Sequence, residues 1–162
     1  MLIELYLPDV ENVIMPISHY NPEVDDIRSI LADICQFIDN ICHFKISGFG
    51  QNSWPVTMNT DLPVLLEQLP KVLKAVSLGN STEIAFYEQG IERIIVLHSI
   101  EDFYELSCLS QTNWQPDPKV EHINTINLIE MIANFLEKFT HLVCSIAPQL
   151  AKHQWFKDWL NP

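Results

Sequence analysis

The chain has 162 residues with 21 acids against nine bases, a formal net charge of −12. Hydrophobic residues make up 48% of it and charged ones 19%, which excludes a disordered chain and allows a sizeable core in a single domain spanning 1–162. The charge disfavours nucleic acid and anionic membrane and favours basic partners. It also exceeds the magnitude of roughly 2–8 suggested for a soluble small domain.

Leu2–Leu7 reads as a strand ended by Pro8-Asp9, with Val13–Ile17 an extended piece able to pair with it. Asn21-Pro22-Glu23 predicts a helix start, combining a capping side chain, proline in the first turn and an acid at the positive dipole end. Val24, Ile27, Leu31, Ile34, Ile38 and Ile41 then form one apolar stripe at helical spacing. His43–Phe49 reads as a strand, and Trp54–Met58 as a short further one. Thr60-Asp61 opens a helix carrying Leu62, Leu65, Leu66, Leu69, Val72, Leu73 and Val76, with a kink or break predicted at Pro70.

Thr82–Glu88, Ile91–His98 and Phe103–Leu109 predict a three-strand meander over 82–109. A two-residue turn at Gln89-Gly90 sets Phe86 opposite Arg93. A four-residue second loop sets His98 opposite Phe103. Alternation then assigns Ile84, Phe86, Ile91, Ile95, Leu97, Tyr104, Leu106 and Cys108 to the core. The other face is mixed: Ala85, Tyr87, Glu92, Ile94, Val96, His98, Phe103, Glu105 and Ser107. Two arrangements stay open for it, exposed to solvent or covered by a further helix.

After the rigid Trp114–Pro118 loop, a long helix is predicted from about Val120 or Asn124 to Ala147, stopped by Pro148. Its stripe is Leu128, Ile132, Phe135, Phe139, Leu142 and Ile146. An amphipathic tail, Gln149–Leu160, follows. The whole reads as an α+β fold, a largely antiparallel sheet packed by about four helices.

Reactive signatures are missing from the pattern. Cys35, Cys42, Cys108 and Cys144 all sit in apolar runs, where free cysteine behaves as a small buried hydrophobe. His141 and Cys144 share a helix face, but no tight pairs of metal ligands exist, so no metal or cofactor is expected. No GxSxG, HExxH or P-loop occurs. Gly48-Phe49-Gly50 reads as a turn. Phosphate contacts need basic residues in a stripe, and none is present. Met1-Leu2-Ile3-Glu4 does not open like a signal peptide, and no apolar run approaches ~20 residues. A reducing cytoplasm is expected.

Recognition remains. Tyr87 and Phe103 supply aromatic anchors, while Glu88, Glu92, Glu101, Asp102, Glu105 and Asp117 supply charge that steers encounter. These eight are the candidate residues for binding a basic protein. The compact acidic build, with Ile46-Ser47-Gly48-Phe49-Gly50, Trp54-Pro55-Val56 and Phe86–Arg93, resembles small bacterial immunity proteins of polymorphic-toxin and contact-dependent inhibition systems. That resemblance implies a cytoplasmic, non-enzymatic protein that occludes a cognate toxin, often a basic nuclease. It is of general character and transfers no binding residue. Two rivals stand beside it: an enzyme with a site at the sheet end using His98, Glu105 or Tyr87, and a structural subunit that docks through Trp155 and Trp159.

Overall fold

The computed structural model describes residues 1–8, 13–16 and 18–162. Among them are six strands and five helices, an α+β fold with two antiparallel sheets. Strand β1 (Leu2–Tyr6) pairs with β2 (His43–Ser47), so the first strand's partner is not the extended Val13–Ile17 piece. Met15 instead sends its amide to the Ile146 carbonyl at 2.8 Å. Asp9 and Ile17 lie outside the described residues.

Helix α1 (Ile27–Ile38) begins five residues later than the Asn21 cap predicts. Asn21 does cap, but only an isolated turn: its side chain accepts from Glu23 N–H and its carbonyl from Val24 and Asp25. Asp26 then turns extended and its carboxylate accepts from Arg28 N–H, restarting the chain as helix. Val24 is therefore outside the stripe and 80% exposed, and Ile41 lies beyond the helix end. The Trp54–Met58 strand does not form. Trp54 makes one backbone bond, to the Ile46 carbonyl at 2.8 Å.

Helix α2 (Asp61–Ser77) runs unbroken through Pro70. Proline has no N–H to give the Leu66 carbonyl. The Trp159 indole N–H gives one instead, at 2.8 Å, from the far end of the chain. Removing an orphan acceptor in this way lets the helix keep a buried proline where a break was predicted.

The main sheet has four strands, β3 (Thr82–Phe86), β4 (Arg93–Ile100), β5 (Phe103–Ser110) and β6 (Val120–Asn124), in that spatial order. Phe86 faces Arg93 as the Gln89-Gly90 turn predicts, closed by Ile91 N–H to the Glu88 carbonyl. The second joint is shorter than predicted. Ile100 pairs with Phe103 and His98 with Glu105, leaving only Glu101-Asp102 in the turn. Glu101 takes φ +49°, the left-handed conformation that suits a two-residue hairpin to strand twist. A slip of two residues preserves which face each side chain occupies. All eight predicted core residues of the meander are accordingly buried.

β6 occupies the stretch where the sequence allows the long helix to begin at Val120. It alternates Glu121 and Ile123 inward against Val120, His122 and Asn124 outward, and Asn124 caps helix α3 (Thr125–Ile146) by accepting from Ile126 N–H. Two short helices, α4 (Pro148–Ala151) and α5 (Gln154–Leu160), complete the chain. One buried apolar cluster draws on both sheets and on all the helices. At the β3 edge, the Gln68 carboxamide bonds both the N–H and the C=O of Ala85, at 2.8 and 2.9 Å. An edge strand is thereby paired by a side chain. No helix among the described residues is long and apolar enough to cross a membrane.

Candidate functional site

Among the described residues, helices pack on one face of the four-stranded sheet and leave the other open. The register sets its rows. Ala85, Ile94 and Leu109 form one; Glu83, Val96, Ser107 and Val120 the next; His98, Glu105 and His122 a third; Ile100, Phe103 and Asn124 the last. None of these residues is buried, and Leu109 is 55% exposed. The mixed face is thus uncovered by any described helix. It carries an apolar strip with carboxylates, and no lysine or arginine stands in its rows.

The eight candidate residues do not form one patch. Glu101, Asp102, Phe103 and Glu105 gather at the β4–β5 turn, with the Phe103 ring edge-on to His122 at 5.5 Å and His122 Nε2 3.6 Å from Glu105. Tyr87, Glu88, Glu92 and Asp117 lie at the opposite end of the strands. The eight residues of β4 separate the two groups by about 23 Å at ~3.3 Å per residue. Tyr87 points toward α2, its hydroxyl 3.5 Å from Glu67. Burial raises the Tyr87 phenol above its ordinary range, with the nearby Glu67 and Glu88 charges adding to it. Glu92 is half-buried, its carbonyl accepting from Gln111 N–H at 2.8 Å. Asp117 N–H donates to Phe49.

The same separation divides the residues of the enzyme reading. His98 sits beside Ser81, Nδ1 to Oγ 3.3 Å, whereas Tyr87 is at the other end of the sheet. Among the described residues no three His, Cys, Asp or Glu side chains are arranged to hold a metal ion. Cys35, Cys42 and Cys108 are buried as expected, but Cys144 is exposed because it falls off the α3 stripe. Trp159 is buried inside the fold and Trp155 half-buried, so the tail tryptophans are not a free docking pair.

Sequence reasoning passed over two features. The first is Arg93, 2% exposed, whose guanidinium lies 3.5 Å from the Trp114 ring centroid and 4.3 Å from that of Trp54. Gln51 Oε1 accepts from its Nη1 at 2.8 Å, while Nε has no partner. Among the described residues no carboxylate pairs with it. Burial lowers its proton affinity. The signal was present in the register, since residue 93 shares the inward parity of Ile91 and Ile95.

The loop under this stack is tightly made. Gly50 has φ +84°, and a Cβ there would stand 2.0 Å from the Asp117 carbonyl oxygen. Only glycine fits.

The second feature is a cleft of about 340 Å³ between the start of α1, α2 and α5. Ile27, Trp155, Trp159 and Pro162 give it apolar walls, and Asp26, Glu67, Asp158 and Lys71 give it charge. Arg28 holds Asp26 at 2.7 Å and Gln154 donates to Asp158 at 2.7 Å. Glu67 makes no ion pair among the described residues. Burial raises its carboxyl above the ordinary glutamate range, against the opposing pull of Arg28. No spacing rule in the sequence brings positions 26, 67 and 158 together; only the packing of three helices does.

Comparison with known proteins matches no family model, no curated protein and no solved structure.

Proposed function

We propose that the chain is an acidic binding protein that neutralises a basic protein partner by occlusion, as an immunity protein does for its cognate toxin domain. The observation that carries this reading is the open sheet face. It combines an apolar strip (Ile94, Val96, Leu109, Val120) with carboxylates at Glu83 and Glu105 and acids at the Glu101-Asp102 turn. No lysine or arginine stands in its rows to offset them. Such a face supplies contact area from its apolar rows and long-range attraction from its rim. The reading assigns no catalytic step and no cofactor. It puts the protein in a reducing cytoplasm, in keeping with four free cysteines. A nuclease toxin fits the same chemistry, because a phosphate-binding surface is basic and an acidic face competes for it.

On this reading the adjoining reading frame encodes a toxin domain, and the test is co-expression with that frame's product followed by association kinetics on the purified pair. A 1:1 complex is expected whose association slows as salt rises, since exposed charges are screened beyond about 8 Å at physiological ionic strength. Neutralising Glu83, Glu101, Asp102 and Glu105 together to their amides is expected to slow association about tenfold or more at low salt. The thermal midpoint should move little, because these carboxylates are not buried. Salt-independent association, or a neutralised variant with the wild-type rate, overturns the reading.

A further inference from the structure

The cleft between α1, α2 and α5 has no part in the sheet face, and its chemistry is that of a receptor for one cation. Its walls include two indoles, Trp155 and Trp159, and its volume of about 340 Å³ falls in the range of formed small-ligand sites. Three carboxylates line it, Asp26, Glu67 and Asp158. Arg28, bound to Asp26, and Lys71 offset two of them. One negative charge is left over. Among the described residues neither Glu67 nor Asp158 makes an ion pair, but Asp158 is exposed and takes a hydrogen bond from Gln154, whereas Glu67 is held half-buried against apolar walls.

We propose that this cleft receives an arginine side chain presented by a basic polypeptide, with the guanidinium paired to Glu67 and flanked by indole. The proposal rests on the reading of the partner as a basic protein, and adds a second point of contact on the helical side of the molecule. Arginine is favoured over lysine by the walls. A flat, weakly hydrated guanidinium stacks on aromatic rings and offers carboxylates a planar fork of donors, whereas an ammonium is a strongly hydrated point charge. Nucleic acid and free anions are excluded by the sign of the site. The molecule already holds one guanidinium against indole, since Arg93 lies on Trp54 and Trp114 with Gln51 as its hydrogen-bond partner.

The experiment uses the four tryptophans of the chain as reporters. Trp155 and Trp159 line the cleft, while Trp54 and Trp114 sit on the Arg93 stack. Their indole N–H signals are followed by NMR in ¹⁵N-labelled full-length protein. The probes are acetyl-arginine amide and its neutral isostere, acetyl-citrulline amide. Arginine is expected to shift the Trp155 signal saturably, with a Kd of order 1–10 mM for so small a fragment. Citrulline should leave it in place, as should either probe the Trp54 and Trp114 signals. Glu67→Gln should weaken arginine binding about tenfold, with unmoved Trp54 and Trp114 signals reporting that the variant is folded.

Absence of a saturable Trp155 shift, an equal shift with citrulline, or wild-type affinity in Glu67→Gln overturns the cleft assignment. None of these outcomes touches the sheet face, which is read by the salt dependence of complex formation. Conversely, arginine capture by a chain that forms no complex with the basic toxin domain removes the polypeptide partner from the proposal. In the complex itself, Glu67→Gln should slow neither encounter nor folding, but should speed dissociation about tenfold. Unchanged dissociation also overturns it.

Discussion

Glu67 and Arg93 are two ionisable groups held where an ion is poorly solvated, and the chain treats them differently. Arg93 is compensated from within: two indole faces and Gln51 surround it, and cation–π contact with a desolvated guanidinium contributes about 2 kcal/mol or more. Glu67 has a long contact from Tyr87 and the fields of Arg28 and Lys71, without an ion pair among the described residues. Burial raises its carboxyl in the folded protein, so the folded state binds this proton more tightly than the unfolded chain does. Stability from this group therefore falls as pH rises through the raised value, and recovers as pH drops to the ordinary glutamate range. Glutamine at 67 has no such dependence. Thermal unfolding of Glu67→Gln and wild type across pH should show the variant gaining on wild type between acid and neutral pH, and the advantage vanishing once Glu67 is protonated in both states. A difference that is constant with pH, or that grows toward acid, means Glu67 is not held against its charge.

Helix α2 supplies the clearest case of one element completed by another. Pro70 leaves the Leu66 carbonyl without its helical donor, and Trp159 of α5 supplies one. Trp159→Phe keeps an aromatic ring but removes that N–H, leaving a buried acceptor unpaired at a cost of about 1–3 kcal/mol. Pro70→Ala restores a backbone N–H to the same carbonyl. In that background Trp159→Phe should cost about 1 kcal/mol less, a coupling measured by a double-mutant cycle in denaturant unfolding. Additive losses would mean the indole acts by packing alone. The same contact explains a limit on what could be read beforehand. The stripe of α2 was legible from spacing and the apparent fault at Pro70 was legible too, but its remedy, Trp159, lies 93 residues beyond the Leu66 carbonyl. The inner face of the meander survived a wrong loop length because a two-residue slip keeps parity. The α1 start did not, since Asn21 and Asp26 are both competent caps and local chemistry does not rank them. Tyr87, Glu88, Glu92 and Asp117 looked like neighbours of Glu101 and Glu105 because alternation gives a residue's face and not its height on the strand. Arg93 was hidden by its type: a charged residue is read as surface unless the register is followed to its end.

At the scale of the molecule, the tail decides whether the acidic surface is carried by one cooperative unit or by a body with an appendage. Leu150, Phe156 and Trp159 are 3%, 1% and 7% exposed. Trp159 packs edge-on to Phe139 of α3 and donates to α2, and α5 also meets α1. Removing residues 149–162 strips all three side chains from the core. Large-to-alanine changes at buried Leu, Phe or Trp each cost about 2–5 kcal/mol, and whole domains are stable by only about 5–15 kcal/mol. The sum of three such losses reaches that margin. A chain ending at Pro148 should therefore show no cooperative thermal transition, and its Trp54 and Trp114 indole signals should collapse to the positions of unfolded chain. The full chain carrying Trp155→Ala alone, which alters only a half-buried ring at the cleft, should keep a cooperative transition. If the truncated chain instead melts cooperatively with those two signals in place, the tail is an appendage, and α5 is available to leave the body and bury its tryptophans in a partner.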